Sequence, residues 1–186
     1  MNQITISSFN KSDIEEVMTL DELSLGGLWG QAQYERELSL PNSNFSLLCL
    51  SQGGSTPREI IGMGCWRVIT KDVEIPLFLI HPNYQAQGFG SYFFGYLLLE
   101  MVKRNLRQAR LDVNVNNPKA IALYKKFGFQ VLAKMEKFYR RQQEDAYKMM
   151  LPSMKDKYFR SQLTANYQSA CQLVESRGFE LTSVAE

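Results

Sequence analysis

The sequence predicts an α/β fold: a mixed sheet flanked by helices, followed by a C-terminal helical tail. Three observations point there. Apolar and polar residues alternate at Ile4–Ile6 and over Ala109 to Asn116, the period of half-buried strands. Apolar residues recur at helical spacing from Ile14 to Leu23 and again in the tail. The order is strand, two helices, three strands, helix, strand, helix, strands, which suits one sheet with helices folded over it and not a repeat or a bundle.

Each element has its own warrant. Ile4 and Ile6 give a short first strand. Ser12 is placed to cap a helix, with Glu15 completing a capping box. Ile14, Val17, Met18 and Leu20 or Leu23 form its apolar face, and Gly26-Gly27 ends it. A second helix is expected from Gln31 to Leu40, stopped by Pro41-Asn42. Phe45–Leu50 and Ile60–Ile69 read as a hairpin across the turn Gln52–Pro57. Ile75–Ile80 reads as a buried strand. Pro76 within it calls for a bulge or an unpaired edge, because proline has no N–H to give a neighbour.

The polar loop His81–Gly90 leads to an apolar helix from Ser91 to Asn105. In the next strand Leu111, Val113 and Val115 face one way, and Asp112, Asn114 and Asn116 the other. Pro118 opens a helix that ends at Gly128. Phe129–Ala133 and Asp145–Leu151 form a closing hairpin with a long basic connection. In the tail, Tyr158 or Phe159, Leu163, Ala170, Leu173 and Val174 share a helical face, and Gly178 ends the helix. The expected division is a domain over 1–152 and a helical extension over 153–186 that packs on it.

Composition narrows the function classes. A formal net charge of +2, with no run of Lys and Arg, argues against a nucleic-acid partner. Cys49, Cys65 and Cys171 lie far apart and form no C-x-x-C pair, so neither a disulfide framework nor a metal site is indicated. Met1 to Asp13 lacks the basic-then-apolar pattern of a signal peptide. The most apolar run, Tyr92–Val102, is about half of what a bilayer needs. The expectation is a cytoplasmic protein with no membrane partner; the oligomeric state stays open. His81, the sole histidine, has no serine or cysteine at a spacing that suggests a hydrolytic triad.

The informative stretch is Ile80-His-Pro-Asn-Tyr-Gln85-Ala86-Gln87-Gly88-Phe89-Gly90. Two glycines follow a strand and open a helix. A helix N-terminus presents unpaired N–H groups and roughly half a positive charge, and glycine lets a ligand come close. The combination suits a pyrophosphate. An unliganded turn would look the same. A dinucleotide-binding turn is excluded because Phe93 holds the third glycine's place, and a P-loop because the required lysine is missing.

Gln85-x-x-Gly88-x-Gly90 resembles the Q/R-x-x-G-x-G/A motif of the GNAT superfamily of N-acetyltransferases. Downstream, Asn117-x-x-Ala120-x-x-Leu123-Tyr124-x-x-x-Gly128-Phe129 is similar to that family's second signature. Leu111 to Phe129, with Gly26-Gly-Leu-Trp29, Tyr34 and Glu37-Leu, resembles the cyanobacterial kind of the RimI branch. That branch acetylates the N-terminal alanine of small-subunit ribosomal protein number eighteen. This chain departs from it in having Asp112 where the branch has Glu, and Leu77-Phe-Leu-Ile80 where the branch has N-I-A-V.

The resemblance implies a mixed, mostly antiparallel sheet, acetyl-CoA as co-substrate, no metal, and a protein N-terminus as acceptor, with a ribosomal protein as partner. The strand end Phe78, Leu79 and Ile80 would line the CoA, with an oxyanion N–H around Leu79 and Ile80. Gln85, Ala86, Gln87, Gly88, Phe89, Gly90, Ser91 and Asn117 would orient the CoA. Tyr124 would protonate the leaving thiolate and Asp112 would serve as base, with Glu74 as second choice. Tyr139 stands where relatives place an aromatic near the acceptor. Two other readings stay open: an acetyltransferase for a small amine or lysine, and a catalytically silent acyl-CoA-binding module.

Overall fold

The structure of the chain, a computed structural model, describes residues 2–52, 58–139 and 144–182. Strand β1 (Asn2–Ser7) leads through a short 3-10 turn, Lys11–Asp13, into helix α1 (Ile14–Leu25). The Asp13 carboxylate accepts from the Asn10 N–H at 2.8 Å. The cap therefore falls on Asn10 and Asp13, not on the expected Ser12 and Glu15, because the 3-10 turn starts the winding earlier. Gly26 ends α1 at a left-handed φ of 73°, a conformation glycine adopts without strain.

Helix α2 (Gln31–Ser39) follows, then β2 (Ser43–Ser51), β3 (Glu59–Ile69) and β4 (Asp72–Ile80), each antiparallel to the next. The expected turn after β2 lies, from 53 to 57, outside the described residues. Helix α3 (Phe89–Lys103), with Gly88 as its N-cap, begins two residues before its expected start. Strand β5 (Ala109–Asn114), helix α4 (Pro118–Lys126), β6 (Gln130–Tyr139) and β7 (Glu144–Leu151) complete the part foreseen as strand and helix. Strand β6 reaches Tyr139, so much of the connection expected as a basic loop is strand; the rest, 140–143, and the Tyr139 side chain lie outside the described residues.

The tail forms helix α5 (Lys157–Ser176) and a strand the sequence does not announce, β8 (Phe179–Leu181). The sheet order is β6-β7-β5-β4-β3-β2-β1-β8. Among the described residues only β4–β5 and β1–β8 are parallel, so the sheet is mixed and mostly antiparallel, as expected. Helices α1 and α2 cover one face, where Val17, Leu20 and Tyr34 pack with Leu47 and Met63. Helices α3 and α5 cover the other, where Phe93, Phe94 and Leu97 pack with Leu163, Ala170 and Val174. Tyr167 stacks on Tyr92 with ring centroids 5.6 Å apart. Of the two alternatives at the start of this face, Phe159 packs on the core and Tyr158 is 74% exposed. Among the described residues no helix is long and apolar enough to cross a membrane.

Pro76 sits at a bulge. Cys65 pairs with Leu77 and Arg67 with Glu74, so Trp66 alone faces both Ile75 and Pro76. The extra residue reverses the side-chain parity of the strand. Val73 and Ile75 face the α3 side, whereas Leu77 and Leu79 face the α1 side. Phe78 is thereby turned toward Phe93 and Phe94, at 5.7 and 5.1 Å between centroids.

Candidate active site

Strands β4 and β5 pair only over Val73–Ile75 and Ala109–Leu111. Pro76, which cannot donate to a neighbour, follows at once, and from there the strands part. A cavity of about 490 Å³ occupies the gap, lined by the end of β4, the glycine turn, β5, α4 and the end of α1.

The open edge of β4 can be assigned from its pairing with β3. The His81 N–H donates to Ile61 O at 2.8 Å. Opposed residues in an antiparallel pair alternate between bonded and unbonded, so Leu79 opposite Met63 is bonded and Ile80 and Phe78 are not. The Leu79 N–H is thus directed into the sheet. The N–H groups of Phe78 and Ile80 face the side that β5 has left. The carbonyl of Ile80 faces the same way and accepts from Gln85 Nε2 at 3.0 Å and Ser24 Oγ at 3.3 Å. The Gln85 side chain therefore ties the loop to its own strand.

The glycine turn is built for close contact on both of its sides. Gly88 has φ of 100°, and a Cβ there would meet Leu173 and Val174 of α5 at 3.0 to 3.4 Å. Its missing side chain makes room for the tail helix. At Gly90 a Cβ would meet only Leu123 and Ile80, at 3.7 and 3.9 Å, both on the cavity wall. Gln85, Ala86, Gly88, Gly90 and Ser91 line the cavity. Gln87 and Phe89 do not: the Gln87 amide donates back to Asn83 O, and Phe89 is fully buried against Tyr84 and Phe179. Phe89 can offer a ligand only its backbone.

Helix α4 forms the opposite wall. Asn117 caps it, its Oδ1 accepting from the Ala120 N–H at 3.1 Å, and is among the residues that line the cavity. Tyr124 reaches the cavity while its ring is held between Phe94 and Phe129, at 5.1 and 6.0 Å. Asp112 lines the cavity from β5. Burial pushes its carboxyl above the usual range; Lys148, directly across on β7, opposes this, and Glu74 adds to it. Glu74 itself does not line the cavity. His81 does not either; its Nδ1 accepts from the Asn83 N–H in the turn.

Several lining residues escape the sequence reading. Ser24, Leu25 and Leu28 come from the end of α1 and the loop after it. Lys119 and Lys126 stand seven apart on α4, a spacing that places both on one helical face and was legible. Glu144, the first residue of β7, accepts from the side chains of Asn114 and Asn116. The alternation of β5 marks those two asparagines, but nothing local marks their partner. Among the lining residues, negative charge comes from Asp112 and Glu144 on the strands and positive charge from Lys119 and Lys126 on α4.

This arrangement fits acetyl-CoA. A helix N-terminus with close backbone approach suits a pyrophosphate, and an open strand edge suits an amide-bearing arm. Among the described residues no group of three or more His, Cys, Asp or Glu side chains is placed to hold a metal ion.

Comparisons with known proteins agree with this geometry. Residues 14–129 match the model of the Acetyltransferase (GNAT) family. The ribosomal protein bS18-alanine N-acetyltransferase of Escherichia coli is 26% identical over 150 residues, covering 80% of this chain and 97% of that relative. The N-alpha-acetyltransferase RimI of Mycobacterium tuberculosis is 27% identical over 149 residues, covering 78% of this chain and 90% of the relative. The crystal structure of the Escherichia coli ribosomal-protein-S18-alanine N-acetyltransferase matches with a TM-score of 0.70 at 26% identity, covering 84% of this chain and 97% of that one. A spermidine N-acetyltransferase from Vibrio cholerae, in complex with CoA and spermine, shares the fold with a TM-score of 0.65 at 19% identity, over 82% of this chain and 97% of its own. With the splayed strands, the glycine turn and this match in place, the chain belongs to the GNAT family and is an acetyl-CoA-dependent N-acetyltransferase.

Proposed function

We propose that the chain acetylates the N-terminal α-amine of a protein, and that the acceptor is the N-terminal alanine of small-subunit ribosomal protein bS18. The observation that carries this reading is the division of charge in the cleft: Asp112 and Glu144 on the strand side, and the α3 N-terminus with Lys126 on the other. An anionic thioester donor and a cationic amine acceptor are each drawn to a different wall. The Escherichia coli relative, named for action on bS18 alanine, supports the acceptor's identity.

Each residue then has a task. The N–H of Ile80 or Phe78 donates to the oxygen that gains charge as the amine attacks the acetyl carbonyl. Asp112 takes a proton from the amine. Tyr124 donates toward the departing sulfur. Full transfer from a phenol near pKa ~10 to a thiolate near ~8.5 is uphill by roughly 2 kcal/mol, so a strong hydrogen bond serves as well as transfer. An α-amine near pKa ~8 is deprotonated at pH 7.5 for under ~1 kcal/mol, whereas a lysine near ~10.4 costs about 4 kcal/mol. One modest carboxylate base suits the former. The presence of two carboxylates, Asp112 and Glu144, in the cavity lining also suits a polycation, which makes a small polyamine the second reading.

The test offers acetyl-CoA with a peptide of bS18 sequence beginning with Ala, the same peptide N-terminally blocked but carrying a lysine, and spermidine, and follows mass and initial rate. The unblocked peptide is expected to react fastest. Faster reaction of the blocked peptide or of spermidine would overturn the acceptor assignment.

A further inference from the structure

The turn that meets the CoA pyrophosphate carries no cation. Gln85, Ala86, Gln87, Gly88, Phe89, Gly90 and Ser91 are all neutral, so the only positive charge the loop offers is a helix dipole of roughly half a charge. CoA carries a pyrophosphate and, on its ribose, a phosphate monoester of charge near −2.

The missing charge comes from another element. Lys126, in the last turn of α4, extends its Nζ to within 3.2 Å of Ser91 Oγ, in the first turn of α3. The ammonium passes 5.9 Å from the Phe127 ring centroid. Its backbone carbonyl is anchored by Asn166 Nδ2 of α5 at 3.1 Å. Among the described residues no carboxylate lies within ion-pair distance of Lys126, unlike Lys103 and Lys134, which are paired. It also lines both the main cavity and the neighbouring one between α4 and α5.

We propose that Lys126 is a CoA-binding residue, its ammonium receiving a phosphate group of the cofactor at the N-terminus of α3. This rests on the cleft being the CoA site. The same ammonium can serve the pyrophosphate or the ribose 3′-phosphate; both are phosphate oxygens for a point charge with three donors. The Ser91 hydroxyl holds the amine in place until phosphate takes over as acceptor.

The test titrates CoA and 3′-dephospho-CoA into the full chain and into Lys126→Met, with Lys126→Arg as the charge-retaining control, by calorimetry at low and moderate salt. Lys126 is exposed, so its replacement is compatible with folding. The Met variant is expected to bind CoA about tenfold more weakly, with a shallower salt dependence, and the Arg variant to recover most of the affinity. Equal losses for both ligands identify the pyrophosphate; loss confined to CoA identifies the 3′-phosphate. Either supports the inference. A Met variant that binds both ligands as the parent does would overturn it alone. A parent that binds neither would overturn the cleft assignment with it.

Discussion

Gly88, at the entry to α3, lies against Leu173 of α5: a Cβ on that glycine would stand 3.0 Å from the leucine Cδ2. The turn that lines the cavity, where we propose the cofactor binds, therefore rests on the tail helix on its other side. Gly88→Ala should act on stability, through a left-handed φ that costs roughly 1–3 kcal/mol and through the contact with Leu173. A drop of several degrees in Tm is expected, partly restored by Leu173→Ala in the same chain. Gly90→Ala, whose Cβ has ordinary contacts facing the cavity, should leave Tm unchanged and weaken CoA binding. Thermal melts and titrations of the three variants check the contrast.

Tyr124→Phe should lower kcat by ~100-fold, the usual scale of a general acid, with little change in the KM for acetyl-CoA. The ring is fixed by Phe94 and Phe129 whether or not it carries a hydroxyl. Steady-state kinetics with the substrates varied in turn measure the split; a kcat within about twofold of the parent would remove the hydroxyl from the chemistry.

Asp112 gives a pH signature with a definite sign. Its carboxyl is raised by burial and by Glu74, against the pull of Lys148. A raised carboxyl means the folded state holds its proton more tightly than the unfolded chain does. The charged form therefore reduces stability once pH passes the unfolded value near ~3.9, and this loss is complete above the folded value. Asp112→Asn should leave Tm at pH 7 unchanged or higher, with the difference vanishing in acid. The same variant should be slow at low pH and recover partly toward pH 9, where the amine is already neutral. A flat ratio of variant to parent rates across pH would remove Asp112 from the role of base.

Asp21 is wholly buried and accepts from the N–H groups of Leu28 and Trp29 and from the Tyr34 hydroxyl, at 3.1, 2.9 and 3.1 Å. It folds the loop after α1 so that Leu28 lines the cleft. Burial and this carboxylate together push the Tyr34 hydroxyl well above its ordinary pKa. Asp21→Ala strands three donors and should cost about 3 kcal/mol or more. The milder Asp21→Asn should raise the KM for an acceptor peptide several-fold while leaving the KM for acetyl-CoA unchanged. Equal rises in both would mean a general loosening of the fold.

What the sequence made legible follows from how local each signal is. The order of elements was readable because periods of 2 and 3.6 are carried by neighbours. Pro76 announced a break in pairing, and the structure shows both a bulge and a free edge there. Gly88 and Gly90 were readable as a pair but not as individuals, since only packing shows that one faces α5 and the other the cavity. Glu144 was invisible because its hydrogen bonds to Asn114 and Asn116 cross from one strand to another, 28 to 30 residues away. Strand β8 was invisible because three residues carry no period.

That last strand sets the order in which the molecule can be completed. Leu181 lies beside Ile4, and Thr182 donates through its N–H and its hydroxyl to Ile4 O across a separation of 178 residues. During synthesis β1 can pair with β2 early, yet its other edge waits for nearly the whole chain to emerge. Until then that edge offers unpaired backbone groups to any passing strand. The aromatic faces of Phe89 and Tyr92 wait with it for Phe179 and Tyr167. The tail thus acts as a closing clasp, and the vulnerable moment of this protein's life is the interval before it shuts.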